Sequence, residues 1–308
     1  MPTYKEVSKI KSDFIAKKED AIKSTIGSQQ ENLYEKLISD FSKLASNKVE
    51  GKDVSINKIQ SEFKKYYDAN FNDVMKQTIN ASKSLTDLNQ MYFATLLDSN
   101  KLDDIHENTK NVLNKSLGIT DTGKLIKGGF TDKALSNKEV QKVFTKEVTK
   151  ILNGNPDTLS MQNKLKEFIL GNKQSTGILE RYYRNFASDL LKGVDRGNSL
   201  VYADTLELTD AFYGGGLKLT SRPFCISRNG KIVSREQIDK WVNILNTDAG
   251  PKWSEAVHGK YDPYKCCGGH GCDHVLDWIT PDLADTLKSE NNKRAAEKNK
   301  AFKDRNEL

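Results

Sequence analysis

Between Thr3 and Arg222 the chain contains a single proline, Pro156. Proline inside a helix removes a backbone hydrogen bond and clashes with the preceding turn, so so long a stretch nearly free of it is open to long helices. The remainder is different in kind. All three tryptophans (Trp241, Trp253, Trp278), all four cysteines and four of the six prolines lie after residue 220. Such a shift marks a boundary between two architectures.

Apolar spacing supports helix throughout the first part. Val7, Ile10 and Phe14 recur at helical intervals, as do Leu33, Leu37, Phe41 and Leu44. A polar break, "SNKVEGKD", precedes a second pattern through Ile56, Ile59, Phe63, Tyr67, Phe71 and Val74. Ser84 and Asp87 have capping-box spacing and predict a helix restart through Leu88, Met91, Tyr92 and Leu96. Residues 118–135 are too rich in glycine for helix and read as a loop, with helix resuming near Asn137. Asn155-Pro156 supplies a cap and a first-turn proline for a helix through Met161, Leu165 and Ile169. A last helix runs from about Thr176 to Leu206 through Leu179, Tyr182, Phe186, Leu190 and Leu191. A plain helical bundle accounts for these patterns. The alternative is that part of the apolar face is kept for a partner or for further copies of the chain.

Beyond residue 206 the signals become mixed. Gly214-Gly215-Gly216 lacks the Lys-Ser/Thr of a phosphate-binding loop and reads as a hinge. "LKLTSR" predicts a strand, and "NGKIVS" a tight turn entering a second one. Ser234 and Gln237 form a capping box opening a helix whose Ile238, Trp241, Val242 and Leu245 share a face. Thr280-Pro281 opens a short closing helix, and the charged tail from about residue 289 reads as disordered. The predicted class is α+β: an α-helical region over 1–205, a small α+β module over 206–288, and a tail over 289–308.

Charge narrows the functional classes. The formal net charge is +6, but residues 1–205 carry 32 basic and 27 acidic side chains, and 206–290 carry 10 and 12. No segment has the dense basic stripe that phosphate-driven nucleic-acid binding needs. No run approaches the ~20 apolar residues of a membrane helix. The opening "MPTYKEVSKIKSDF" has no apolar block after its first charges, so a secretory leader is not expected and a cytoplasmic setting is.

The chemistry concentrates in "KCCGGHGCDHVLDW". Cys266, Cys267, His270, Cys272 and His274 fall within this run, and Cys225 precedes it by some 40 residues. On extended backbone, residues i and i+2 project the same way, so Cys272 and His274 are expected to face one point. With Cys225, and with Cys266 (or Cys267 or His270) as fourth ligand, they would form a closed structural zinc site. The spacing matches no familiar zinc finger. The thiols as small buried hydrophobes, a Cys225–Cys272 disulfide, and a loop-bonded histidine remain alternatives.

"SRPFCISRNGKIVSREQIDKW" followed by "GGHGCDHVLDWITP" resembles the C-terminal signature of bacteriophage minor head proteins, the Mu F-like head morphogenesis family. Arg222, Pro223, Phe224, Cys225, Gly230, Lys231, Gly268, Gly269, Cys272 and His274 occupy the signature positions, over about residues 220–283. Asp273 stands where the family has arginine, and the stretch between Asn246 and Cys267 is long. The resemblance implies a virion structural protein assembled in the host cytoplasm. It further implies association with portal and capsid subunits in head assembly, and a place in DNA packaging or ejection. Self-association through the helices and non-specific contact with packaged DNA fit that picture, and membrane contact does not.

Enzyme readings have weaker starting points. His-Glu-x-x-His, Gly-x-Ser-x-Gly and P-loop motifs are absent. A Cys225 nucleophile with His258 or His274 as base is conceivable. The head-morphogenesis module has been likened to the ADP-ribosyltransferase fold, but the catalytic Glu-x-Glu of such enzymes does not occur. The one Gln-x-Glu, Gln60 to Glu62, falls in a predicted helix. His106 reads as an ordinary surface or core histidine. A packaged enzyme delivered to the host is therefore the alternative, and an assembly protein that is not an enzyme the first expectation.

Overall fold

The computed structural model describes residues 2–98, 100–129, 131–132, 138–255, 260–269 and 271–306. Six helices come first: α1 (Tyr4–Val49), α2 (Asn57–Ala94), α3 (Leu102–Leu117), α4 (Lys138–Gly154), α5 (Thr158–Leu170) and α6 (Ile178–Thr205). Then follow β1 (Asp210–Gly214), α7 (Pro223–Arg228), β2 (Ile232–Ser234), α8 (Arg235–Asp239), a 3-10 turn (Lys240–Ile244), α9 (Pro263–Cys266), β3 (Val275–Ile279) and α10 (Pro281–Asn306). The chain is thus α+β, as its sequence predicts. Among the described residues no helix is long and apolar enough to cross a membrane.

Local chemistry sets several helix boundaries. Thr3 and Glu6 cap α1 reciprocally: the Thr3 N–H donates to the Glu6 carboxylate at 2.7 Å and the Glu6 N–H to the Thr3 hydroxyl at 3.4 Å. Asp157, rather than Asn155-Pro156, caps α5, accepting from the Ser160 N–H at 2.9 Å. The restart expected at Ser84 does not occur. Ser84 and Asp87 lie inside one uninterrupted α2, whose far end is anchored by buried Leu85, Tyr92 and Phe93. The side chains of Phe71, Tyr182 and Phe186 lie outside the described set.

The chain resolves into two compact units, and neither is a simple sequence segment. One comprises Ala16–Asn80 and Asn114–Ala187; its core includes Leu33, Leu37, Phe41, Phe63, Val74, Phe144, Val148, Leu165 and Tyr183. Phe63 and Phe144 stack there with centroids 3.9 Å apart. Gln60 and Glu62 lie on α2 in this unit, helical as expected. The other unit joins Met1–Ile15, Ala81–Leu113 and Ser188–Leu308. A division near residue 205 is therefore not the one that packing makes.

In that second unit a three-stranded antiparallel sheet is ordered β2-β1-β3. Register pairs Ala211 with Trp278 and Tyr213 with Leu276 across β1 and β3. These four face a cluster that also contains Val7, Tyr92, Phe93, Tyr202, Phe224 and Trp241. By the two-residue alternation of a strand, Phe212 and Ile279 turn to the other face, where they meet Ile232, Ala284 and Leu287. All five residues of β3 are buried, as a strand covered on both faces must be.

Three local expectations differ from the structure. "LKLTSR" forms a turn with Leu219 exposed, because Pro223 opens α7 directly after it. The capping box at Ser234 and Gln237 is present, but α8 tightens into the 3-10 turn after one turn. Trp241 is buried while Val242 is 45% exposed. The tail is helical through Asn306, and its asparagines serve the edge strand. Asn292 accepts from the Ile232 N–H at 2.6 Å and donates to its carbonyl at 3.1 Å. Asn299 donates to the Asn229 carbonyl at 2.8 Å. A polar composition that reads as disorder thus satisfies backbone groups an edge would otherwise expose.

Candidate metal centre

Cys225 sits in the first turn of α7, and Cys272 and His274 on the extended stretch leading into β3. One donor atom from each lies within 4.8 Å of the other two, and all three residues are buried. The two sulfurs are 3.7 Å apart, and Cys272 Sγ is 3.7 Å from His274 Nδ1. The expected convergence of Cys272 and His274 is present. Cys266, half-buried at the end of α9, and Cys267, buried beside it, do not join the group. His270 and His258 lie outside the described residues. The four cysteines are free thiols.

Two glycines make room for this group. A Cβ on Gly268 would overlap Cys225 Sγ and stand 3.0 Å from Cys272 Sγ. The Gly268 N–H also donates to Cys272 Sγ at 3.3 Å. Gly215, at φ +128°, packs so closely on Asp273 and His274 that a Cβ would lie 2.7 Å from the His274 Cα. The glycine run is therefore a site of close backbone approach rather than a hinge.

Surrounding groups orient the donors. The Tyr213 hydroxyl is 3.6 Å from Cys225 Sγ and 3.7 Å from Cys272 Sγ, and its ring stacks on His274 with centroids 4.7 Å apart. Arg196 of α6, 6% exposed, donates from Nε to the His274 carbonyl at 2.9 Å and from Nη1 to the Lys265 carbonyl at 3.0 Å. Its Nη2 holds the Cys272 carbonyl. One guanidinium thereby fixes both flanks of the Cys272-x-His274 stretch. Arg222 donates to the Gly268 carbonyl at 3.2 Å. Asp273 pairs with Lys192 and Lys218. Arg196 and Tyr213 escape a reading of the sequence, since nothing marks them apart from other polar helix or strand residues.

The electrostatics favour a thiolate. Cys272 is held well below the ordinary thiol range, first by the hydrogen bond from Cys225 and further by His274 and the Arg196 charge, against the effect of burial. Cys225 is pushed up, by donating to Cys272 and by desolvation. Cys267 is pushed up to about 12 by burial. His274 is 2% exposed, and among the described residues its Nε2 has no hydrogen-bond partner. A buried polar atom without a partner costs ~1–3 kcal/mol; the ring nitrogen that faces Cys272 Sγ is Nδ1, at 3.7 Å. The group could hold a metal ion.

His106 is buried, 3.3 Å from the Tyr202 hydroxyl through Nδ1 and 3.2 Å from Asp87 through Nε2. That is a packed structural histidine.

No protein-family model, curated protein sequence or solved structure matches the chain.

Proposed function

We propose that this chain is a structural protein of a bacteriophage head, a minor capsid or head morphogenesis protein bound to the portal or inner head, with Cys225, Cys272 and His274 holding a structural zinc ion. The support is the convergence of the signature residues. Arg222, Cys225, Gly268, Cys272 and His274 are spread over some fifty positions, yet they contact one another around a single buried point. Residues that form one motif in sequence and one site in space are what a family signature should be. Gly230 and Lys231 belong to the adjoining turn, where the Gly230 N–H donates to the Tyr213 carbonyl at 2.8 Å.

Zinc suits the donor set and its spacing. With Zn–S of about 2.3 Å and Zn–N of about 2.0–2.1 Å, tetrahedral edges come to about 3.8 Å for sulfur to sulfur and about 3.6 Å for sulfur to nitrogen. The separations here are 3.7 Å in both cases. Two thiols in plain contact would stand equally far apart; the third donor, His274 Nδ1, buried at the same separation from Cys272 Sγ, favours a metal.

A Cys225 nucleophile has less support, because the thiol is 3% exposed and shifted away from its reactive form. The test is compositional. Mass spectrometry of purified particles from the phage that encodes the chain should find it at a fixed low copy number, and co-expression with the portal subunit should give a complex. Absence from mature particles together with no portal complex would overturn the assembly reading.

A further inference from the structure

The zinc reading leaves one coordination position unassigned. Zinc in proteins is almost always four-coordinate, and sites with three protein ligands keep the fourth position for water or substrate. Among the described residues no further Cys, His, Asp or Glu joins the three donors. The Tyr213 hydroxyl is near both sulfurs and donates to Cys225 Sγ, so it meets the group as a hydrogen-bond partner.

A cavity of about 300 Å³ borders the group. Cys225, Cys272 and His274 line it together with Lys218, Ser221, Arg222 and Asp273. Within that lining the Asp273 carboxylate pairs with Lys218, and Arg222 adds a second cation. Two thiolates and neutral imidazole cancel the zinc charge, and Arg196, whose hydrogen bonds here go to carbonyls, adds a buried positive charge alongside. Cationic and hydroxyl groups around a metal of net positive surroundings are the chemistry that receives an oxyanion.

We propose that the metal held by Cys225, Cys272 and His274 keeps one exchangeable position open to this cavity, and that this position takes an oxyanion of the phosphate class, either inorganic phosphate or a phosphate monoester. The proposal rests on the metal reading and is independent of the assembly role. Its ligands would be a metal–oxygen contact on one side and a charge-assisted hydrogen bond from Arg222 on the other.

Cobalt(II) substitution of the full chain separates the two claims. The sulfur-to-cobalt absorption reports loading, and the d–d bands report the fourth ligand. Inorganic phosphate and adenosine monophosphate should each shift the d–d bands saturably, and adenosine should not. A response to only one of the two assigns the source. Arg222→Gln should keep the sulfur-to-cobalt band while weakening the anion response roughly tenfold, the loss expected for one charged hydrogen bond. A loaded protein blind to both anions would overturn the open position. So would a response that appears only in Tyr213→Phe or His270→Ala, which would identify an internal fourth ligand. Failure to load cobalt at all would remove the metal reading and this proposal with it.

Discussion

At the scale of single residues, the site depends as much on an absent side chain as on its donors. Gly268 leaves the space in which Cys225 and Cys272 stand 3.7 Å apart while its own backbone N–H reaches the second sulfur. Gly268→Ala should therefore spread the thiols and cut zinc content to well under half an equivalent by elemental analysis, with the helical circular dichroism preserved. Full occupancy in that variant would show that the sulfurs do not share a metal. Arg196→Met tests the clamp. It leaves the carbonyls of Cys272, His274 and Lys265 without their donor and should cost about 2–4 kcal/mol in urea denaturation. The donors were legible in the sequence because cysteine and histidine are rare here and clustered, and because i and i+2 on extended chain face one way. Arg196 was not. It falls on α6 in a stripe with Lys192, Asp195 and Ser199, which spacing alone assigns to a solvated face, yet all four are buried or nearly so.

At the scale of elements, Lys11 shows what such a stripe is for. Its ammonium, 2% exposed, lies 3.1 Å from Asp195 of α6 and 3.2 Å from Asp277 of β3. It also donates to Asn89 of α2 at 3.0 Å and sits 5.1 Å from the Tyr92 ring centroid. The start of α1 is thus fastened to three other elements by one charge. Burial works against that charge, but the two carboxylates outweigh it, so the Lys11 pKa is raised above 10.5. Lys11→Met should destabilise the protein by about 3–5 kcal/mol, since two carboxylates would be left buried without a cation. The sign of the pH dependence follows. A raised folded pKa gives stability that is fully present below about 10.5 and lost as pH climbs through the folded value. The gap between wild type and Lys11→Met in urea denaturation should be constant from neutral pH to about 9 and narrow above 10.5. A gap that widens there would refute the assignment. Helices were readable because their period is long and breakers are scarce. Of the described strands, β2, entered from the "NGKIVS" turn, was readable too, while β1 and β3 were not: they are five residues each, β3 is buried throughout, and neither sequence alternates between polar and apolar as a half-exposed strand does.

At the scale of the whole molecule, the C-terminal segment that looks self-contained in sequence is not so in packing. Its sheet buries Tyr213, Leu276 and Trp278 against Val7, Tyr92, Phe93 and Tyr202, all from outside residues 206–308. The Tyr92 hydroxyl donates to the Trp278 carbonyl at 3.1 Å, and Asp277 has its cation on α1. Burying side chains of this size contributes roughly 1.5–3 kcal/mol each, against a net stability of only ~5–15 kcal/mol for a typical domain. Removing four of them, together with Lys11 and Arg196, exceeds what such a segment can lose. A fragment of residues 206–308 should therefore show no cooperative thermal transition, bind a hydrophobic dye, and hold zinc far more weakly than the full chain, because a donor set that is not preorganised must be folded by the metal itself. Well-dispersed amide resonances with stoichiometric zinc in that fragment would contradict this. They would mean that the three-part unit is an accident of proximity, and that the boundary near residue 205 suggested by proline and tryptophan usage is the one along which the chain folds.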